Sequence, residues 1–138
     1  LVLKEVGRRL TDFICTRDLV NAVRDAIIAL WEAFELAKIL HRDISVGNIV
    51  IILNGNGKFM KALLIDWDLC KDITKLGARR RDRTGTWQFM SAALLRDVDK
   101  EHTIGDDLES SLHVLTWTML RYVPHNIEPL TLRTDVQK

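Results

Sequence analysis

Three oxygen-bearing side chains in the middle of the chain have types and spacing suited to chemistry. Asp43 and Asn48 lie in a polar segment that also holds Gly47, and Asp66 follows 18 positions after Asn48. Carboxylate and amide oxygens are hard ligands that suit Mg²⁺, which keeps several waters and takes one or two carboxylates. A further carboxylate can orient a hydroxyl and accept its proton. The set is therefore suited to metal-assisted reactions such as phosphoryl transfer, in which charge must be neutralised and a nucleophile aligned.

Each of the three residues has a predicted role in such a site. Asp66 and the amide oxygen of Asn48 would hold Mg²⁺ against the phosphates of a nucleotide, and Asp43 would handle the attacking hydroxyl. Aspartate and asparagine also form turns and helix caps. We favour the functional interpretation because the surrounding elements are predicted to bring all three to one neighbourhood.

The apolar pattern predicts the elements that position these residues. From Asp18 to Leu40 apolar residues recur every three or four positions, which indicates a long amphipathic helix with Thr16 as a plausible N-cap. Its buried face would consist of Leu19, Val23, Ile27, Leu30, Phe34 and Ala37. A continuous β-branched run over Ile49–Leu53 and a return strand over Phe59–Ile65 then predict a β-hairpin.

The hairpin would carry the candidate site at its open end. Its turn is the sequence N-G-N-G at positions 54–57, a strong tight-turn signal. The segments at 41–48 and 66–83 flank the two strands, so strand-held backbone would support both acidic segments. Further on, Asp107–Arg121 is predicted to be a second core helix, with an apolar face formed by Leu108, Leu112, Leu115 and Met119.

Composition sets broad limits on the class of protein. The chain has 138 residues, 47% apolar and 28% charged, which suits one domain or part of one. Its net charge of +1 gives no field that favours nucleic acid or membranes, and no apolar run approaches the about 20 residues of a membrane span. Cys15 and Cys70 are predicted to be buried, reduced thiols, which favours an intracellular protein, cytoplasmic or nuclear. The chain lacks an initiating Met, so we expect an excerpt of a longer protein.

Four motifs, taken in order, resemble those of one enzyme family. They are H-R-D-I-S-V-G-N at 41–48, D-W-D at 66–68, T-G-T-W-Q-F-M-S at 84–91 and D-D-L-E-S at 106–110. The first has the pattern of a kinase catalytic loop, and the second stands where kinases have their metal-binding D-F-G. The chain resembles the fungal-type protein kinase family from about Leu1 to about Trp117.

The resemblance implies a fold and an activity. The fold would be α+β, the mostly helical C-terminal lobe of a protein-kinase-like domain with a catalytic β-hairpin, and the N-terminal lobe would be absent. Residues 1–138 would form a partial kinase domain of hinge end, catalytic loop, metal loop, activation segment and anchoring helix, with Leu3–Gly7 as the hinge tail. The activity would be ATP- and Mg²⁺-dependent phosphorylation of Ser or Thr in protein substrates. It would require the missing N-terminal lobe of the same chain, so residues 1–138 alone would be inactive.

Individual residues take roles from the same resemblance. Asp43 would be the catalytic base, and Asn48 and Asp66 the Mg²⁺ ligands. Arg42 would link the catalytic loop to the activation segment, and Val50 would lie under the adenine ring of ATP. The resemblance also implies that His41 and Trp67 stack in the hydrophobic spine of the lobe.

Other positions extend or depart from the family pattern. Thr86 is expected to hydrogen-bond toward Asp43, and Asp107 to hydrogen-bond the backbone around the H-R-D motif. Trp87 and Phe89 are expected to anchor the segment that carries Thr86 by burying aromatic area. Ser45 stands where many Ser/Thr kinases have a lysine that touches the γ-phosphate. Asp68 replaces the glycine of D-F-G. Ala93 replaces the buried glutamate of A-P-E, so the residue that usually locks the activation segment is missing.

Other interpretations remain open. The chain contains no glycine-rich phosphate loop and no V-A-I-K lysine. The I-D-W-D stretch at 65–68 also resembles the metal loop of aminoglycoside and choline phosphotransferases, although Arg42 and the segment Gly85–Ser91 argue against a small-molecule kinase. A catalytically inactive pseudokinase or binding fragment is the third possibility. The basic run Arg79–Arg83 is either a solvated loop or a docking patch for acidic groups.

Overall fold

The computed structural model describes residues 7–75 and 85–124, and these form a small α+β structure with three helices and two small sheets. The predicted hinge tail Leu3–Gly7, apart from Gly7, and the basic run Arg79–Arg83 lie outside the described residues. The elements in chain order are β1 (Arg8–Arg9), α1 (Thr16–Ala37), β2 (Ile39–Leu40), β3 (Ile49–Leu53), β4 (Phe59–Leu64), β5 (Lys71–Asp72), α2 (Ala92–Arg96) and α3 (Ile104–Tyr122). None of the helices in this part of the chain is long and apolar enough to cross a membrane.

Helix α1 is the central element of the core. Its buried side chains are Leu19, Ala22, Val23, Ala26 and Leu30, whose three- and four-residue spacing covers one face of the helix. The prediction that Ala37 belongs to the buried face is wrong, because Ala37 is exposed. Ala37 is the last residue of the helix, which ends where Lys38 takes a left-handed conformation (φ 54°). The N-cap is Cys15 rather than Thr16, and Cys15 is exposed, contrary to the prediction of a buried thiol.

The predicted hairpin is present as β3 and β4, which pair antiparallel with β1 on the other side of β3. The turn is closed by Asn54, whose side-chain oxygen accepts the backbone N–H groups of Asn56 and Lys58 at 2.9 and 3.0 Å. Gly57 has a φ of +73°, which a glycine adopts without strain. Strand β4 is tied to α1 because Ala62 donates its N–H to a carboxylate oxygen of Asp25 at 3.0 Å.

Helix α3 is present, but its buried face is rotated from the predicted one, of which only Leu108 and Leu115 are partly buried. Leu112 and Met119 are 58% and 38% exposed, whereas the buried positions are Asp106, Asp107, Ser110, Ser111, Val114 and Thr118. This face packs against α1 and against the chain around residues 41–43 and 86–91. The carboxylates of Asp106 and Asp107 are satisfied there because they accept backbone N–H groups that precede or neighbour the helix, whereas Ser111 and Thr118 donate to carbonyls of α3 itself.

Candidate active site

One buried carboxylate, that of Asp107, holds the backbone of the H-R-D motif by hydrogen bonds. Asp107, in the first turn of α3, accepts the backbone N–H of His41 at 2.9 Å and that of Arg42 at 3.1 Å. Its side chain is fully buried, and a third donor, Nε2 of His102, lies 2.7 Å from Oδ1. The expected contact of Asp107 with this backbone is therefore present. It joins α3 to a loop 65 residues earlier in the chain.

The His41 ring is fixed between two backbone groups. The N–H of Asp43 donates to Nδ1 at 3.2 Å, so Nδ1 must carry a lone pair and the proton lies on Nε2. Nε2 then donates to the carbonyl of Ile65 at 3.0 Å, which connects the catalytic loop to the end of β4. The ring meets Trp67 edge-on at 4.6 Å between centroids, in the expected pairing of these two residues. The buried ring thus sets the spacing between the two candidate loops.

The Asp43 carboxylate receives donors from two other segments. Thr86 donates both its backbone N–H and its hydroxyl to Oδ1, at 2.8 and 2.9 Å. The amide nitrogen of Asn48 donates to the Asp43 carbonyl at 2.9 Å and lies 3.3 Å from Oδ2. Oδ1 is therefore occupied, whereas Oδ2 has one long contact and retains most of its capacity to accept a proton.

The segment that carries Thr86 meets the catalytic loop through backbone contact. Gly85 has a φ of +117°, and a Cβ at this position would lie 2.7 Å from the carbonyl oxygen of Arg42. Arg42 itself has a φ of 72°, a conformation that costs a non-glycine residue free energy and needs support from its surroundings. The backbones of Arg42 and Gly85 are thus in close contact, while the role of Arg42 as the link to an activation segment stays a prediction.

Asp66 and Asn48 lie at the mouth of the hairpin, as the order of elements predicts. The N–H of Ile65 donates to the carbonyl of Asn48 at 2.9 Å, which closes the two strands at this end. Asp66 follows with a φ of 61° and an exposed side chain. The amide nitrogen of Asn48 is engaged by Asp43, so its amide oxygen is the atom available to a metal ion. This donor set fits Mg²⁺, which needs few protein ligands.

Within residues 7–75 and 85–124, no three His, Cys, Asp or Glu side chains are grouped so as to hold a metal ion. The predicted Mg²⁺ ligands, Asn48 and Asp66, are only two residues, and only one of them is an acidic side chain. Their role as a Mg²⁺ site therefore stays a prediction.

Two further predicted residues occupy defined places around the loop. Val50 lies in the middle strand of its sheet, half-buried, and Gly7 passes so close that a Cβ there would be 2.9 Å from the Val50 Cβ. Ser45 is 7% exposed, and its carbonyl accepts the N–H of Asn48 at 3.1 Å. Ser45 thus shapes the loop, while its place in the catalytic set stays a prediction.

The aromatic residues of the Gly85–Ser91 segment behave differently from each other. Phe89 is buried and meets Trp117 of α3 edge-on at 5.8 Å between ring centroids, as expected for an anchor. Trp87 was also predicted to be an anchor, and this is wrong, because it is 62% exposed. In the short 3-10 helix Trp87–Phe89, Trp87 and Gln88 are exposed and only Phe89 is buried against α3.

Sequence reasoning missed a second buried carboxylate beside Asp107. Asp106 accepts the Ser91 hydroxyl at 2.5 Å, the Lys100 ammonium at 2.6 Å and the Thr103 N–H at 2.7 Å. The sequence signal was available, because Thr103 and Asp106 have the spacing of a capping box, and that box is present. His102, which donates to Asp107, had no recognisable signal.

The donors around Asp106 determine its charge state. Burial on its own would raise the pKa of this carboxyl group, but hydrogen bonds from Lys100, Ser91 and Thr103 together lower the pKa from 3.8 to about 2. Asp106 is therefore ionised at any physiological pH, and each of its donors faces a full negative charge.

The comparison with known families agrees with this geometry. A family model described as fungal protein kinase matches residues 1–119, a range that contains every candidate residue described above. A search of curated proteins finds no match for the chain.

Proposed function

Because the chain belongs to the fungal protein kinase family, we propose that it carries the catalytic floor of an enzyme that transfers the γ-phosphoryl group of ATP to Ser or Thr of protein substrates. The observation that supports this most strongly is the setting of Asp43. One carboxylate oxygen is held by Thr86 and the other retains room for a proton from a hydroxyl group. In this proposal the described elements form the C-terminal lobe of a kinase domain.

The proposed step is a direct displacement. The substrate hydroxyl oxygen bonds to the γ-phosphorus, the bond from that phosphorus to the β-γ bridging oxygen breaks, and ADP leaves. The hydroxyl proton passes to Oδ2 of Asp43, while Thr86 holds Oδ1 and so fixes the direction of the carboxylate. Asn48 and Asp66 would hold Mg²⁺, which when bound neutralises phosphate charge.

The segment after Gly85 supports a polypeptide as the phosphate acceptor. Phe89 fixes it to α3 from below, Thr86 fixes it to Asp43, and Trp87 stands exposed beside them. An open surface next to the catalytic carboxylate suits an extended chain better than a small amino alcohol, which would need a closed pocket.

The nucleotide needs further groups that the described residues do not include. The 138-residue sequence contains no glycine-rich phosphate loop and no V-A-I-K lysine to contact the phosphates. We propose that an N-terminal lobe of the same polypeptide supplies them and closes over Val50, which would support the adenine ring.

Dependence on ATP suggests that the enzyme works in the cytoplasm or nucleus.

The acceptor class can be tested with Thr86→Ala and Thr86→Ser in the full-length protein. Thr86→Ala removes the hydroxyl bond to Asp43, so phosphorylation of a generic basic or acidic protein should fall sharply while ATP affinity is unchanged. Thr86→Ser keeps the hydroxyl and should retain most activity. Efficient phosphorylation of choline or an aminoglycoside, unaffected by Thr86→Ala, would contradict the proposal and favour a small-molecule kinase. Absence of any transfer with intact ATP binding would favour a pseudokinase.

A further inference from the structure

The first turn of α3 holds both halves of the candidate site through two adjacent carboxylates. Asp107 supports the backbone of His41 and Arg42, next to Asp43. Its neighbour Asp106 points to another segment and accepts the hydroxyl of Ser91. The contact between the two halves, from Thr86 to Asp43, is therefore supported on both sides by one helical turn.

The Asp106 contact has the properties of a fixed support. Ser91 is fully buried and Asp106 is 4% exposed, so water does not compete for their hydrogen bond. The Ser91 oxygen also accepts the N–H of Leu94 at 3.2 Å, so the same hydroxyl caps α2. Glu109, one turn further along α3, accepts the N–H of Ala92 at 2.8 Å. Two consecutive residues at the start of α2 are thus bound to acidic side chains of α3.

The support reaches Asp43 through a short and continuous path. Ser91 ends the segment, Phe89 packs on Trp117 within it, and the Phe89 N–H donates to the carbonyl of Thr86 at 2.9 Å. Thr86 then donates twice to Asp43. Only four residues therefore separate the anchored Ser91 from Thr86, which orients the candidate base, so the backbone between them has little freedom to shift.

We propose that Ser91 and Asp106 form a positioning lock that holds the Gly85–Ser91 segment against α3 and thereby orients Asp43 through Thr86. The lock takes the place of the glutamate that the family pattern has at position 93, where this chain has alanine. Lys100 belongs to the lock, because its ammonium group pairs with the second oxygen of Asp106. The kinetic consequence of the lock rests on the proposed function, whereas its effect on the segment does not.

The experiment uses Ser91→Ala in the full-length protein and follows two properties. The first is amide hydrogen exchange at residues 86–90 compared with α1. The second is kcat/KM for a protein substrate, measured alongside KM for ATP. Loss of a hydrogen bond to a charged partner should accelerate exchange at 86–90 by about tenfold and lower kcat/KM by a similar factor. Exchange in α1 and KM for ATP should not change.

Three further variants separate positioning from general stability. Ser91→Thr keeps the hydroxyl and should restore both properties. Lys100→Gln removes only the cation. It should accelerate exchange at 86–90 and lower kcat/KM, each by a smaller factor than Ser91→Ala. This variant keeps the test available if Ser91→Ala does not fold. Ser111→Ala is the matched control, since Ser111 is equally buried but donates to Asp107 of its own helix at 3.0 Å, and it should leave exchange at 86–90 unchanged.

The outcomes distinguish the lock from the proposed function. Unchanged exchange at 86–90 in Ser91→Ala, acceleration spread equally over α1, or the same effect in Ser111→Ala would overturn the lock. If the wild-type protein phosphorylates no protein substrate, the proposed function fails, and local acceleration of exchange that Ser91→Thr restores would still support the lock as a structural device.

Discussion

The carbonyl oxygen of Arg42 occupies the space that a side chain at Gly85 would need. A Cβ at position 85 would lie 2.7 Å from this oxygen, and the φ of +117° is one that residues with side chains rarely adopt. The contact brings the backbone of the Gly85–Ser91 segment onto the loop of the H-R-D motif, one residue before Thr86 reaches Asp43. Small size at position 85 is therefore a geometric requirement of the site.

We expect Gly85→Ala to lower the free energy of unfolding by about 1–3 kcal/mol, the cost of one strained backbone position, and to abolish most transfer activity. Chemical denaturation and a phosphorylation assay measure the two effects. Gly55→Ala is the matched control, because a Cβ at Gly55 meets nothing within 4 Å. Equal behaviour of the two variants would show that the close contact is unimportant.

Asp66→Ala and Asn48→Ala should each weaken nucleotide binding in the presence of Mg²⁺ and have little effect in its absence, because both side chains are proposed metal ligands. Calorimetry with and without Mg²⁺ measures this difference in the full-length protein. Asn56→Ala, at the exposed tip of the hairpin turn, is the control. A variant at either candidate position with normal metal dependence would indicate that its residue only shapes the turn.

Asp107→Ala should destabilise the protein by about 2–4 kcal/mol, because it leaves buried donors of His41, Arg42 and His102 without their acceptor. The rate of phosphoryl transfer should also fall under conditions in which the variant is fully folded, because Asp43 directly follows the backbone that Asp107 holds. Thermal unfolding and kinetics at a temperature where the variant is folded separate the two effects. Glu101→Ala, an exposed carboxylate nearby, should be neutral.

Acid should reveal the charge of Asp106. Its pKa of about 2 lies below the ordinary 3.8, so the folded state binds fewer protons than the unfolded state in this range. The stabilisation is complete above about pH 4 and is lost as the pH falls from 3.8 to about 2. In Asp106→Asn, the free energy of unfolding should decrease less steeply with falling pH over that window than in the wild type. In Ser91→Ala, the slope should lie between those of Asp106→Asn and the wild type. A wild-type slope in Asp106→Asn would contradict the assignment.

The local parts of the fold could be predicted because local signals specify them. The hairpin followed from a β-branched run and the turn at Asn54, and α1 from the periodicity that begins at Leu19. The neighbourhood of Asp43, Thr86 and the start of the D-W-D stretch could be predicted because fixed spacing in sequence accompanies these motifs, while their catalytic and metal-binding roles stay predictions.

The long-range polar contacts could not be predicted in the same way. The apolar residues of α3 were expected to face the core, but Leu112 is exposed and Asp107 is buried. Hydrogen-bonding demand from loop backbone decides that orientation, and a helical period does not register it. The same holds for His102 and Ser91, whose partners lie in other segments, and for Trp87, whose exposure depends on how its short helix sits on α3.

The role of Asp43 is the central claim, and Asp43→Asn in the full-length protein tests it most directly. Asparagine keeps the shape of the side chain and can still accept the Thr86 hydrogen bonds, but it cannot take up the hydroxyl proton. We predict that phosphorylation of a protein substrate falls by about 10²–10⁴-fold while Mg²⁺–ATP affinity stays within a few-fold of wild type. Near-normal turnover by Asp43→Asn would contradict the account.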